Sequence, residues 1–176
     1  MTRIPLSVLD LAPVATGASI GGTLRHSTEL AQVTERLGYH RYWVAEHHNM
    51  PGIASASPTV LVAHLAQATR TLRIGSGGVM LPNHRPLVVA EQFGMLEALH
   101  PGRIDLGLGR APGADPLTAR ALQGNGAGAD DFPGQLAEVR SFLQDSFPPG
   151  HPYARIHAVP ARDNVPAVWL LGTSEQ

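Results

Sequence analysis

Short apolar runs alternate with longer helix-like segments along most of this chain, and this alternation limits its fold more than any other feature. The runs are rich in β-branched, aromatic or aliphatic residues and are bounded by Gly or Pro. The predicted strands are residues 4–9, 42–45, 72–81, 103–108 and 168–171. Alternation of this kind predicts a parallel sheet whose strands are joined by right-handed helical crossovers.

The segments between the strands have the features of helices. Ser27 is a candidate N-cap for a helix in which Leu30, Val33 and Leu37 recur at spacings of three and four, and Gly38 ends it. Residues 109–116 form a predicted loop, after which the pattern is loose. Further helices are predicted at residues 57–68, 87–99 and 133–143.

Two architectures share this order of strands and helices, the open doubly wound sheet and the closed (β/α)8 barrel. Alternation alone does not choose between them. A barrel needs about 250 residues, whereas this chain has 176 residues. Since the sequence contains no internal repeat and no interdomain linker, residues 1–176 are predicted to form a single domain.

Charge and cysteine content exclude several classes of function. The formal net charge of -1 provides no basic surface for nucleic acid or for an acidic membrane. With no cysteine, the chain has no disulfide, thiolate metal site or cysteine nucleophile, which fits a cytoplasmic protein. The first eleven residues are interrupted by Pro5, Ser7 and Asp10 and do not resemble a signal peptide or a membrane span.

Polar side chains follow four of the five predicted strands. In parallel α/β folds, ligands bind at the edge of the sheet where the carboxyl ends of the strands meet. Four separate loops therefore predict one ligand site at this edge. The polar residues are Glu46–Asn49 after the second strand, Asn83–Arg85 after the third, Arg110 after the fourth, and Thr173 and Ser174 after the fifth.

The adjacent histidines His47 and His48 allow three interpretations: a general base or hydrogen-bonding group, a metal site, or no chemical role. Neighbouring residues in an extended segment point to opposite sides, so both rings would hardly reach one ion. The chain also has no cysteine and no helical pair of histidines with zinc-ligand spacing. We favour the base or hydrogen-bonding role and predict no metal site.

Glycines mark two of the predicted strands. The spacing of Gly107, Gly109 and Gly113 departs from the dinucleotide-binding fingerprint, whereas the guanidinium group of Arg110 suits a phosphate. The alternative is that these glycines allow tight packing and Arg110 is a surface charge. The glycines at residues 75–78 indicate a bulge or the close approach of a flat ring. Both tryptophans, at positions 43 and 169, are predicted to be core residues.

Together these segments resemble the bacterial luciferase-like flavin-dependent monooxygenases. Residues 43–48, Trp-Val-Ala-Glu-His-His, resemble that family's Glu-His-His signature. Residues 72–82, 101–110 and 168–174 are similar to its third, fourth and fifth strands. The resemblance implies an α/β fold, a TIM (β/α)8 barrel of the luciferase-like type. This chain would be its N-terminal part, with only about the first five strands.

The resemblance also implies roles for individual residues. His47 falls on a histidine that acts as the catalytic base. Gly77 and Gly78 fall on a non-prolyl cis peptide behind the isoalloxazine ring, and Arg110 falls on an arginine that binds the FMN phosphate. The complete set of implied cofactor-binding residues is Glu46, Gly77, Gly78, Arg110, Thr173 and Ser174.

The implied activity is that of a flavin-dependent monooxygenase. Reduced FMN adds O2 to form a C4a-hydroperoxide, which oxidises a small organic substrate such as an aldehyde. A separate flavin reductase would supply FMNH2, and the protein would be a homo-oligomer. Two alternatives stay open: a truncated, non-catalytic half-barrel that binds flavin or another protein, and an F420-dependent oxidoreductase.

Overall fold

The computed structural model describes residues 4–123 and 131–172, which form six strands and five α-helices. The strands are β1 (Ser7–Asp10), β2 (Arg41–Val44), β3 (Arg73–Ser76), β4 (Val79–Met80), β5 (Ile104–Gly109) and β6 (Ala167–Leu171). The helices are α1 (Ile20–Arg36), α2 (Pro58–Ala68), α3 (Pro86–Leu99), α4 (Pro116–Gln123) and α5 (Phe132–Gln144). No helix in the described ranges is long and apolar enough to cross a membrane.

All six strands pair in parallel and follow one another across the sheet in chain order. β3 and β4 pair in succession with one edge of β5, and β6 pairs with the other edge. A doubly wound sheet reverses its strand order at a switch point, and no such reversal occurs in the described strands. The order is therefore the one found in β/α barrels, which confirms the α/β class and its parallel sheet.

The two faces of the sheet have different surroundings. Tyr42, Ile74 and Leu106 lie on the outer face and are completely buried under the helices. The opposite face, called the inner face below, is open, and Leu9 and Trp169 on it are 56% and 39% exposed. The inner face is formed by Leu9, Arg41, Trp43, Arg73, Gly75, Asp105, Gly107, Trp169 and Leu171.

Helix α1 begins earlier than predicted. Its first residue is Ile20, and the Ser19 side chain caps it by accepting a hydrogen bond of 3.1 Å from the Gly22 N–H. Ser27, the predicted cap, lies well inside the helix and is buried. The N-terminal limit was therefore wrong, because Ser27 has a different partner, the carboxylate of Asp10.

The predicted apolar side of α1 is not its buried side. Leu30 and Leu37 are 44% and 67% exposed, whereas the buried positions carry small or polar side chains. The reason is a buried carboxylate at the end of β1: Asp10 accepts hydrogen bonds of 2.6 Å from both Ser27 Oγ and Tyr42 Oη. A helix that packs over this group buries a polar face.

The third predicted strand, residues 72–81, is two strands. β3 ends at Ser76 and β4 begins at Val79, with Gly77 and Gly78 between them. The peptide bond between these glycines is cis, as the resemblance implied. Sequence analysis also missed helix α4, which lies in the stretch where the periodic pattern is loose.

Candidate functional site at the carboxyl edge of the sheet

The strand registers bring the polar loops to one edge, called the rim below. Val44 of β2 aligns with Ser76 of β3, and Gly109 of β5 aligns with both Met80 of β4 and Leu171 of β6. The segments that follow β2, β4 and β5 therefore leave the sheet side by side, and Gly172 follows β6 next to them. For the polar residues of these three segments, this agrees with the predicted arrangement.

The carboxylate of Glu46 ties two of these loops together. The side chain is completely buried, and Nε2 of His48 and Nε2 of His84 both lie 2.9 Å from Oε1. The Met80 backbone N–H donates to Oε2 at 3.0 Å, and the Asn83 amide donates to Oε1 at 3.2 Å. Glu46 therefore holds the segment after β4 against the segment after β2.

Glu46 stays ionised in this position. Burial alone would raise the pKa of Glu46, but the hydrogen bond and charge of His84, with hydrogen bonds from His48 and the Met80 N–H, lower it below its usual value. Both carboxylate oxygens already accept from protein donors. The geometry suits a residue that positions its neighbours.

His47 has different neighbours from His48. Its backbone N–H donates to the Ser55 carbonyl at 3.0 Å, which fixes the main chain beside the loop before α2. Its ring atom Nδ1 is buried and has no hydrogen-bond partner among the residues that the structure describes. Since buried polar atoms are nearly always paired, this unpaired nitrogen marks His47 as a candidate functional residue.

His48 is held by the protein on two sides. Its ring binds Glu46, and its backbone N–H donates to the Gly113 carbonyl at 3.0 Å. The two neighbouring histidines therefore have different surroundings, as expected for an extended segment. Of the pair, His47 is the one with a buried ring nitrogen that lacks a hydrogen-bond partner among the described residues.

Glycines keep the inner face flat next to the rim. A Cβ atom on Gly77 would lie 2.8 Å from Leu9 Cδ1, and one on Gly78 would lie 2.8 Å from the Gly107 carbonyl oxygen. A Cβ on Gly107 would collide with the Ser76 carbonyl oxygen. At Gly78 and Gly107 the neighbouring atom is backbone, so neither position accommodates a side chain, whereas the atom nearest Gly77 is the tip of the Leu9 side chain.

Arg110 is exposed and follows directly on β5. Because Gly109 aligns with Leu171, Arg110 and Gly172 leave the sheet next to each other. The predicted phosphate-loop residues Thr173 and Ser174 lie outside the described residues. Their assignment to a phosphate site remains a prediction.

Sequence reasoning missed a charged cluster on the inner face. Asp105 is completely buried and accepts hydrogen bonds from Arg41 Nε at 2.9 Å, Arg73 Nε at 3.1 Å, and the indoles of Trp43 at 3.0 Å and Trp169 at 3.2 Å. The tryptophans were predicted to be core residues, but each is only partly buried because its ring lies on the open face. In β2, arginine and tryptophan alternate with buried residues, and this alternation could have indicated a polar cluster on one face of the sheet.

Comparison with known proteins identifies relatives along the whole chain. The family model described as luciferase-like monooxygenase matches residues 4–176. The chain is 54% identical to a luciferase-like monooxygenase of Escherichia coli, over 97% of this chain and 50% of that protein. It is 46% identical to the N-acetyl-S-alkylcysteine monooxygenase of Bacillus subtilis, over 98% of this chain and 52% of that protein. The chain thus spans about half the length of these relatives.

Solved structures share the fold. Apo-MsnO8 superposes with a TM-score of 0.87 at 42% identity, over 98% of this chain and 50% of that one. The oxygenating constituent of 3,6-diketocamphane monooxygenase from Pseudomonas putida, in complex with FMN, has a TM-score of 0.78 at 17% identity, over 98% of this chain and 52% of that one. An F420-dependent secondary alcohol dehydrogenase has a TM-score of 0.57 at 17% identity, over 81% of this chain and 43% of that one.

Proposed function

Because this chain belongs to the luciferase-like monooxygenase family, we propose that it is part of a flavin-dependent monooxygenase whose cofactor is reduced FMN. Its described strands form the first part of a (β/α)8 barrel, and the rim is the active site. The observation that carries the proposal is found at one edge of the sheet. There, the glycines at residues 77, 78 and 107 lie near a histidine whose buried Nδ1 has no hydrogen-bond partner among the described residues.

The residues at the rim fit a flavin. Gly77, Gly78 and Gly107 leave no side chain in the way of a planar ring, and exposed Arg110 provides a charged fork for the phosphate. Thr173 and Ser174 would add hydroxyl donors to that phosphate. The flavin, when bound, supplies the activation of O2, while the protein binds, orients and shields it.

His47 is the group on this chain that would exchange a proton with the bound reactants. The residue is partly exposed and its buried Nδ1 has no hydrogen-bond partner among the described residues, so we propose that this ring contacts the bound reactants. Both oxygens of Glu46 accept from the protein, so we propose that it acts through the residues that it positions. Its contribution is to fix the loop that leads from β2 to His47 and the loop that follows Gly78.

We propose a small organic molecule as the substrate. A relative of 46% identity acts, by its name, on N-acetyl-S-alkylcysteine, which makes thioethers the first candidates beside aldehydes. A separate reductase would supply the reduced flavin, and the assembled protein would be a homo-oligomer. F420 is the second candidate cofactor, since an enzyme of the same fold depends on it.

Isotope labelling under 18O2 tests this function. The protein is mixed with photoreduced FMN and either N-acetyl-S-methylcysteine or a long-chain aldehyde, and the product is analysed by mass spectrometry. We expect one 18O atom per product molecule, and we expect the His47→Ala variant to form product at least about 100-fold more slowly. Product without label, or turnover with reduced F420 but not with FMN, would exclude the proposal.

A further inference from the structure

Positive charge exceeds negative charge on the inner face, at the end opposite the rim. Arg41 and Arg73 begin β2 and β3, and Asp105 is the second residue of β5. Arg41 Nε lies 2.9 Å from one oxygen of Asp105, and Arg73 Nη2 lies 2.5 Å from the other. Two guanidinium groups thus share one carboxylate, and the three side chains together carry one uncompensated positive charge.

Asp105 has no capacity for a further donor. Five N–H groups already point at its two oxygens: Arg41 Nε, Arg73 Nε and Nη2, and the two indole nitrogens. A carboxylate offers about four lone-pair sites. The excess charge therefore cannot be neutralised by a rearrangement within this cluster.

The excess charge resides on Arg41. Arg73 directs its remaining N–H groups at the carbonyl oxygens of Gly102 and Ile104. Neither Nη atom of Arg41 has a hydrogen-bond partner within residues 4–123 and 131–172. The guanidinium carbon lies 4.6 Å from the ring centroid of Trp169 and lines a cavity of about 210 Å³ on the inner face.

Water can hydrate Arg41 only while the inner face is open, and its side chain is 22% exposed. Both edges of the sheet are also unpaired within the described residues, because β1 pairs only with β2 and β6 pairs only with β5. A solved relative with the same fold is about twice as long, since this chain covers 50% of it. A polypeptide that covers the inner face would bury the guanidinium group, and buried charges are almost always paired.

We propose that the inner face is the docking surface for the second half of a luciferase-like barrel, and that this half places an Asp or Glu carboxylate against the Nη groups of Arg41. A second copy of this chain is a poor occupant on electrostatic grounds. It would bring another Arg41 with the same excess charge, and its Asp105 is already saturated. The partner is therefore a polypeptide that places one otherwise unpaired Asp or Glu side chain opposite Arg41.

Co-expression tests the proposal without any flavin. The probe is the half of the Escherichia coli relative that this chain does not match, expressed together with the 176-residue chain. We expect a one-to-one complex whose dissociation constant rises about 30-fold or more in Arg41→Met, because a buried charge then loses its partner. Arg41→Lys should retain most of the affinity. The control Arg25→Met removes an exposed charge on α1 and should change nothing.

The acid on the partner is found by changing each of its Asp and Glu residues to Asn or Gln. One substitution should weaken the complex as Arg41→Met does, and combining it with Arg41→Met should weaken the complex no further. Circular dichroism of each variant checks that it is folded. The proposal is overturned if Arg41→Met binds as tightly as Arg25→Met, if no acid substitution has an effect, if no complex forms, or if the chain prefers to pair with itself.

Discussion

Replacing Asp105 by Asn should destabilise the protein strongly although the two side chains have nearly the same shape. Asp105 is completely buried and its carboxylate is shared by Arg41 and Arg73. Burial would raise the pKa of Asp105, but hydrogen bonds from Arg73 and the two indoles, with the charge of Arg73, lower it below its usual value of 3.8. The ionised form is therefore the one that stabilises the fold.

The size of the effect follows from what Asn would leave behind. Two guanidinium groups would lose their counter-charge, and the Asn amide group would add a donor among five existing donors. Removing one partner of a buried ion pair costs about 3–5 kcal/mol. Because the arginine side chains are 22% and 23% exposed, water compensates part of this cost. We therefore expect the free energy of unfolding to fall by about 3 kcal/mol. For a chain of this length that lowers Tm by about 6–12 °C.

The pH dependence isolates the charge. A carboxyl group whose pKa is lowered by folding stabilises the native state above its ordinary pKa and loses that contribution as the pH falls through its folded-state value. Urea titrations should therefore give a constant difference between wild type and Asp105→Asn from pH 7 to about pH 5. Below about pH 4 the difference should shrink. Glu29→Gln, which removes an exposed carboxylate, is the control. A difference under about 1 kcal/mol, or one that does not change with pH, would refute this account.

Three further substitutions test the rim and its support. Glu46→Gln should lower the free energy of unfolding by about 2–3 kcal/mol, because a buried charge is lost and the amide group faces existing donors; an unchanged urea midpoint would contradict this. His47→Ala should leave FMN affinity within about threefold and reduce turnover about 100-fold or more; equal turnover would remove His47 from the chemistry. Gly94→Ala should cost about 1–3 kcal/mol, because its Cβ would lie 2.5 Å from Ala161 Cα; a neutral result would show that α3 can move.

The order of the strands could be predicted from the sequence because each strand is a distinct apolar run between Gly or Pro residues. The buried outer face made these runs conspicuous, as with Tyr42 and Val44 in β2. The limits of α1 could not be predicted, since its buried side faces Asp10 and is polar. The visible apolar stripe at Leu30 and Leu37 lies on the exposed side.

The rim could be predicted in outline but not in its internal connections. Residues that follow parallel strands meet at one edge in any fold of this class, so the placement of Glu46, His47 and Arg110 at this edge could be predicted without knowing the strand register. The partners of Glu46 were not predictable, because His84 comes 38 residues later in the chain and the contact depends on how the loop after β4 turns. Asp105 was missed for the same reason, since its donors come from three other strands.

The binding of FMN compared with riboflavin tests the central claim, that the rim binds a flavin and its phosphate. Equilibrium titration of flavin fluorescence with the wild-type protein and with Arg110→Ala measures both affinities directly. We expect wild type to bind FMN about tenfold or more tightly than riboflavin, and Arg110→Ala to lose that margin while riboflavin affinity stays the same. The absence of saturable flavin binding, or an equal loss for both ligands, would contradict the account.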